Sequence, residues 1–185
     1  MHNVFYPPVP SAIPIREKLR SGCDIDVYGK VNHGSHKNFS IELLSGPHIV
    51  LHINFRFQHS DKQVVMNSYS GAWGQEACLL VRHDNPLGRD DSFQLHIHCQ
   101  HNYYEVIELN GTPLANFTHR FPMESVQALG MKGDVTIEKV LFSGFDFGTD
   151  WCGDHDYGHA GYGSYGLDHY EPPVFGADHA YNAYF

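Results

Sequence analysis

A chain of 185 residues, 42% hydrophobic and 14% aromatic, holds the material for one ordinary domain with a real core and not for two. Its formal net charge of -9 lacks the basic footprint that neutralises phosphates, which excludes a nucleic-acid partner and disfavours an anionic membrane surface. No stretch approaches the roughly 18–20 apolar residues that span a bilayer, so membrane insertion is not expected either.

In chain order, residues 1–20 are Pro-rich and read as an extended N-terminal arm. Its prolines interrupt any basic-then-apolar leader, which points to synthesis in the cytosol. The domain proper is expected over residues 21–142, where short apolar runs alternate with turn residues. Phe39, Ile41 and Leu43 alternate with Ser40 and Glu42. Ile49, Leu51, Ile53, Phe55 and Phe57 alternate with Val50, His52, Asn54, Arg56 and Gln58. Val64 to Asn67 is a short strand ending in a carboxamide. Phe93, Leu95, Ile97 and Cys99 alternate with Gln94, His96 and His98. Tyr103 to Leu109 is rich in β-branched and aromatic residues and runs into Asn110-Gly111, a strong hairpin signal. One helical turn is expected near Pro122–Ser125, and Val135 to Phe142 forms a further strand after the Gly133-Asp134 turn. The period is two throughout, which makes the chain all-β, and many short strands at roughly ten-residue spacing point to a sandwich.

Residues 143–185 differ in kind. They hold eight Gly, six Tyr, four His and seven Asp or Glu, with no Lys or Arg, so most of the net charge lies there. So few aliphatic side chains cannot support a core, and this tail is expected to be disordered or only locally ordered. Tyrosines spaced by glycine raise self-association as one expectation, with a solubilising spacer as the equal alternative. The four cysteines, Cys23, Cys78, Cys99 and Cys152, form no CxxC pair and read as free thiols. Asn-x-Ser/Thr matches at Asn38, Asn110 and Asn116 read as chance in a chain without a secretory leader. His96 and His98 share a strand face, with His101 following. No cysteine or carboxylate pattern beside them completes a zinc site, so neither metal nor cofactor is expected.

The chemistry concentrates between His52 and Glu76. In a strand, side chains at i, i+2 and i+4 share a face, so His52, Asn54 and Arg56 present an imidazole, a carboxamide and a guanidinium in a row. Such a mix of donors and acceptors suits sugar hydroxyls, which do both, better than phosphate. Asn67 adds a second carboxamide, Trp73 a flat apolar platform for the C–H face of a hexose, and Glu76 an acceptor for vicinal hydroxyls. Only one carboxylate belongs to this constellation, whereas a glycosidase usually needs two, and no nucleophile–base pair is recognisable; the chain is not read as an enzyme.

The pattern H-x-N-x-R, a strand ending in V-x-N, and W-G-x-E resembles the galectin carbohydrate-recognition domain in order and spacing, over about Ser21 to Phe142. The resemblance implies a two-sheet antiparallel jelly roll that binds β-galactosides on glycoproteins or glycolipids, without cofactor or catalysis. It implies that His52, Asn54 and Arg56 bind the axial 4-hydroxyl of galactose, that Asn67 and Glu76 hold its 6-hydroxyl, and that Trp73 stacks under the ring. Arg56 and Glu76 would also reach the 3-hydroxyl of a following glucose or N-acetylglucosamine. Galectins lack signal peptides yet act on both sides of the plasma membrane, so cytoplasmic and extracellular sites are both implied. Two positions depart from the family: Phe55 stands where Pro is usual, and Cys78 where an Arg is usual. These departures keep open a second reading, a galectin-like interaction protein with weakened or altered sugar binding. A charge-assisted hydrogen bond contributes about 1.5–3 kcal/mol, so Cys78→Arg is expected to raise lactose affinity by roughly tenfold in a calorimetric titration; no gain would show that Cys78 is not what limits the second-sugar contact.

Overall fold

A computed structural model describes residues 1–70, 73, 81–107, 111–148 and 150–151. Twelve strands make up nearly all of it: β1 (His2–Phe5), β2 (Ser11–Pro14), β3 (Asp24–Val31), β4 (Asn38–Ser45), β5 (His48–Arg56), β6 (Gln63–Tyr69), β7 (Val81–Asp84), β8 (Ser92–Cys99), β9 (Tyr103–Ile107), β10 (Pro113–Thr118), β11 (Ala128–Gly133) and β12 (Val135–Ser143). They form two six-stranded antiparallel sheets, in the orders β1-β12-β3-β8-β9-β10 and β2-β11-β4-β5-β6-β7. The all-β sandwich expected from the period-two pattern is what the chain adopts. A helical turn, Met123–Ser125, lies where Pro122–Ser125 was expected to turn. β9 and β10 pair antiparallel as the Asn110-Gly111 signal requires, although Asn110 itself is outside the described residues.

The inward faces of the two sheets meet in one core. Phe39, Phe55 and Phe93 form its aromatic centre, with ring centroids 4.7 Å apart for Phe39–Phe55 and 5.1 Å for Phe39–Phe93. Phe55 is buried. The unusual residue at that position therefore fills the space between the sheets and leaves the opposite face of β5 to its polar neighbours. Cys23 and Cys99 are free thiols, both buried. Burial raises both above the ordinary thiol pKa and makes them poor nucleophiles.

The alternation expected for β5 is interrupted once. The register against β4 shifts between Leu43 and Leu44, and that against β6 between Ile49 and His52. This bulge turns Val50 into the main core. Ile49, expected to point inward with Leu51, Ile53 and Phe55, instead joins Ala12, Leu44 and Ala128 in a separate cluster against Tyr69. One extra residue on one strand flips every side chain beyond it, and a sequence pattern read in strict alternation carries no sign of that.

The two flanking segments contribute more to the sandwich than their composition announced. β1 adds an edge strand beside β12, and β2 adds one beside β11. Pro7, Pro8 and Pro10 fall between these two strands, and Pro14 ends β2 on a sheet edge, where a missing N–H costs little. Ile13, Ile15 and Leu19 are fully buried. At the other end, Phe145 and Trp151 pack on Phe142, the Trp151 indole N–H donates to Glu17 Oε2 at 2.7 Å, and Arg20 pairs with Asp146 at 2.9 Å. The rest of the tail, residues 152–185, lies outside the described residues.

Asp134 organises the turn between β11 and β12. Gly133 before it has φ +97°, and a Cβ there would strike the Asn38 carbonyl, so the position accepts only glycine. The buried Asp134 carboxylate takes a hydrogen bond from the Lys37 backbone N–H at 2.8 Å, lies 3.0 Å from His36 Nδ1, and accepts from Arg89 at 3.1 Å. Burial alone would raise its pKa, but the bonds from Lys37, His36 and Arg89 outweigh it and hold the group below the ordinary carboxylate value. A depressed folded-state pKa contributes stability above the unfolded-state value, near 4, that is lost as pH falls through the folded-state value. Asp134→Asn should therefore be less stable than the parent at neutral pH and flatten the loss of stability below about pH 4. Urea unfolding across pH measures both, and an unchanged acid limb would show that Asp134 is not its source.

Candidate functional site

The outward face of the β4–β5–β6 sheet carries the expected row. His52, Asn54 and Arg56 all lie on one side of β5, since the core-facing Ile53 and Phe55 alternate with them. Cross-strand pairing sets their neighbours: Glu42 beside His52, Ser40 beside Asn54, and Asn38 beside Arg56 on β4; Asn67 beside His52 on β6. Trp73, on the connection after β6, is bridged to Tyr69 and is 48% exposed, so its indole is not a core residue. Its ring centroid lies 4.8 Å from that of His52 and 5.2 Å from that of Tyr69. The imidazole thus sits between the indole on one side and the β4 side chains on the other. Glu76 and Cys78 lie outside the described residues.

The row is braced from beneath by polar side chains. Glu42 is buried, with Oε2 3.2 Å from His52 Nδ1 and Oε1 3.1 Å from Lys132 Nζ. Its carboxylate sets the orientation of the imidazole, and Lys132 on β11 supplies compensating charge. The Asn54 amide donates to Ser40 Oγ at 2.9 Å and Asn38 Oδ1 at 3.1 Å, and its carbonyl accepts from Arg56 Nε at 2.9 Å. Arg56 is then clamped from its far side by Asp61 at 2.7 Å. A guanidinium held at both ends keeps its remaining N–H groups in a fixed fork, so less rotamer entropy is lost when a ligand arrives. Asn67 is nearly buried, and its Oδ1 accepts from Arg120 at 2.8 Å. Arg120 also reaches Ser68 Oγ and lies over the Phe117 ring, and burial lowers its pKa.

Beside the row runs an open cleft of about 450 Å³, bordered by Lys37, Asn38, Ser40, Arg56, Asp61 and Lys132. Sequence reasoning identified its β5 wall but not Ser40, Glu42, Asp61 or Lys132 as parts of the face. Ser40 and Glu42 were visible as the polar half of the β4 alternation. Only the antiparallel register places them beside Asn54 and His52, and Lys132 and Asp61 arrive from elements the motif does not include. Arg82 on β7 stands at the same end, 2.9 Å from Gln63 Oε1 and 4.0 Å from Asp61.

The family model of galactoside-binding lectins matches residues 10–142. The chain belongs to the galactoside-binding lectin family. It is 57% identical over 186 aligned residues, covering all of both chains, to the probable galaptin lec-8 of Caenorhabditis elegans. It is 42% identical to the probable galaptin lec-7 of the same animal over 82% of each chain. Among solved structures it resembles the C. elegans galectin LEC-6, with a TM-score of 0.68 and 27% identity over 76% of this chain and 95% of that one. The protein is therefore a carbohydrate-binding lectin of the galectin β-sandwich type and not an enzyme. The family match begins at residue 10, so it takes in β2, inside the segment whose composition suggests an arm. No helix among the described residues is long and apolar enough to cross a membrane.

Glu42→Gln keeps the volume but removes the charge that His52 and Lys132 share. Loss of a charge-assisted bond of about 1.5–3 kcal/mol should lower lactose affinity by roughly tenfold in calorimetry, with circular dichroism unchanged. Equal affinity would mean that the imidazole is held without Glu42.

Proposed function

We propose that this lectin binds the terminal galactose of β-galactoside glycans on the β4–β5–β6 face, with the hexose lying between Trp73 and the row His52, Asn54 and Arg56. The observation that carries this is the exposed indole beside His52 on the same face as the row. In this reading Trp73 takes the less polar face of the ring by stacking. His52 and Arg56, together with the carbonyl oxygen of Asn54, read the axial 4-hydroxyl, which rejects glucose. Asn67 and Glu76 take the 6-hydroxyl, and Arg56 and Glu76 reach the second sugar. The partners are glycoproteins or glycolipids bearing such ends, met in the cytoplasm or outside the cell. Self-association through the Tyr/Gly-rich tail would add avidity to single weak sites.

One observation favours a second reading, in which the face binds sugar weakly and serves an interaction. Asn54 and Asn67 are each less than a tenth exposed, and both amides already have protein partners. With Cys78 in place of the usual Arg, that leaves the direct contacts to His52, Arg56 and Trp73.

Retention on galactose resin with lactose elution separates the two. The first reading expects retention by the parent protein, elution by lactose but not maltose, and loss of at least about tenfold in affinity for Arg56→Ala and Trp73→Ala. Unretained but folded parent protein supports the second, and retention unaffected by both substitutions removes this face from galactoside binding.

A further inference from the structure

On the opposite sheet, two neighbouring histidines converge with an aspartate that the sequence holds far from them. His96 and His98 stand two residues apart on the outward face of β8, and β3 pairs beside it so that Asp24 lies across from His98 and Asp26 across from His96. Asp24 Oδ1 is 2.7 Å from His96 Nε2 and 2.5 Å from His98 Nδ1. All three donor atoms lie within 4.8 Å of one another, and their side chains are about a quarter exposed, so the group is open to solvent.

We propose that Asp24, His96 and His98 form a binding site for a zinc-class divalent ion on the sheet facing away from the glycan face. Two imidazole nitrogens and one carboxylate oxygen are a donor set suited to Zn²⁺, and too nitrogen-rich for Ca²⁺ or Mg²⁺. Zinc bonds of about 2.0–2.2 Å place tetrahedral donors roughly 3.3–3.6 Å apart. The two Asp24–histidine separations are shorter than that spacing, so small side-chain rotations must open the cluster around an ion. Three protein donors leave the fourth position to water.

The feature that separates this group from an ordinary ion-pair cluster is what stands behind it. The second nitrogen of His96, Nδ1, lies 3.1 Å from Asp26 Oδ1. Asp26 is buried, and Gln94 Nε2 fixes it with a hydrogen bond of 2.9 Å. A carboxylate on the far nitrogen of a histidine sets its tautomer and ring orientation and raises its basicity as a ligand, an arrangement that recurs behind metal-bound histidines. Lys139 of β12, on the same face, is turned onto the Tyr28 ring at 4.3 Å. A bound ion would clip β3 to β8 and stabilise the folded state by linkage.

The test uses the full chain, stripped with a chelator and titrated with ZnCl2 against a chromogenic zinc indicator. The parent should bind one equivalent that His96→Gln/His98→Gln loses and that a variant with His155, His159, His169 and His179 all changed to Gln retains. Asp26→Asn keeps all three ligands and should weaken binding about 10–100-fold, which decides the matter if the double variant fails to fold. Zinc should raise the Tm of the parent, magnesium should not, and cobalt should give the intense visible bands of a four-coordinate site. Zinc stoichiometry unchanged in the strand variant, loss confined to the tail variant, or an Asp26→Asn affinity equal to that of the parent would each overturn the site.

Discussion

A strand that carries apolar residues on one side and hydrogen-bonding residues on the other can lie only one way between a core and water. β5 is that strand here. Phe55 is fastened into the aromatic centre with Phe39 and Phe93, so Arg56 and Asn54 have no choice but to face outward. A slip of one residue would bury a guanidinium and expose a phenylalanine, at a cost far above the few kcal/mol by which such domains are stable. The row His52, Asn54 and Arg56 is thus held in place by what lies beneath it, and the character of this face descends from that register.

Register alone does not make a binding surface, because long polar side chains on a sheet are free to sample many rotamers. Here the neighbours remove that freedom. The buried Glu42 sets His52, Asn54 is tied to Ser40 and Asn38, and Arg56 is gripped between Asn54 and Asp61. Asp134 does comparable work at one end by tying down Lys37 and His36, which places Lys37 at the cleft border. These are contacts between an outward-facing residue and its support, and the entropy they remove is removed at folding.

The fold class and the β5 row were legible because period-two alternation is a local property, written in nine consecutive residues. The 3₁₀ turn at Met123–Ser125 was legible for the same reason. What escaped was non-local. The bulge at Val50 reverses Ile49 without leaving any mark in the apolar pattern. Lys132 meets Glu42 across two strands 90 residues apart in the chain. The carboxylate that completes His96 and His98 lies more than 70 residues upstream on β3, so a search for ligands near the histidines in sequence could not find it. Proline and glycine dominate the composition of the flanks, yet Ile13, Ile15, Phe145 and Trp151 inside them are apolar enough to pack, and they do.

The two tryptophans stand in opposite surroundings. Trp73 is half in water on the β4–β5–β6 face, while Trp151 is 4% exposed with its N–H on Glu17. Indole emission shifts with solvent contact, so the chain carries two intrinsic fluorophores of different colour. The red-emitting one watches the proposed ligand surface, and the blue-emitting one watches whether the segment after β12 is still fastened to the segment after β2.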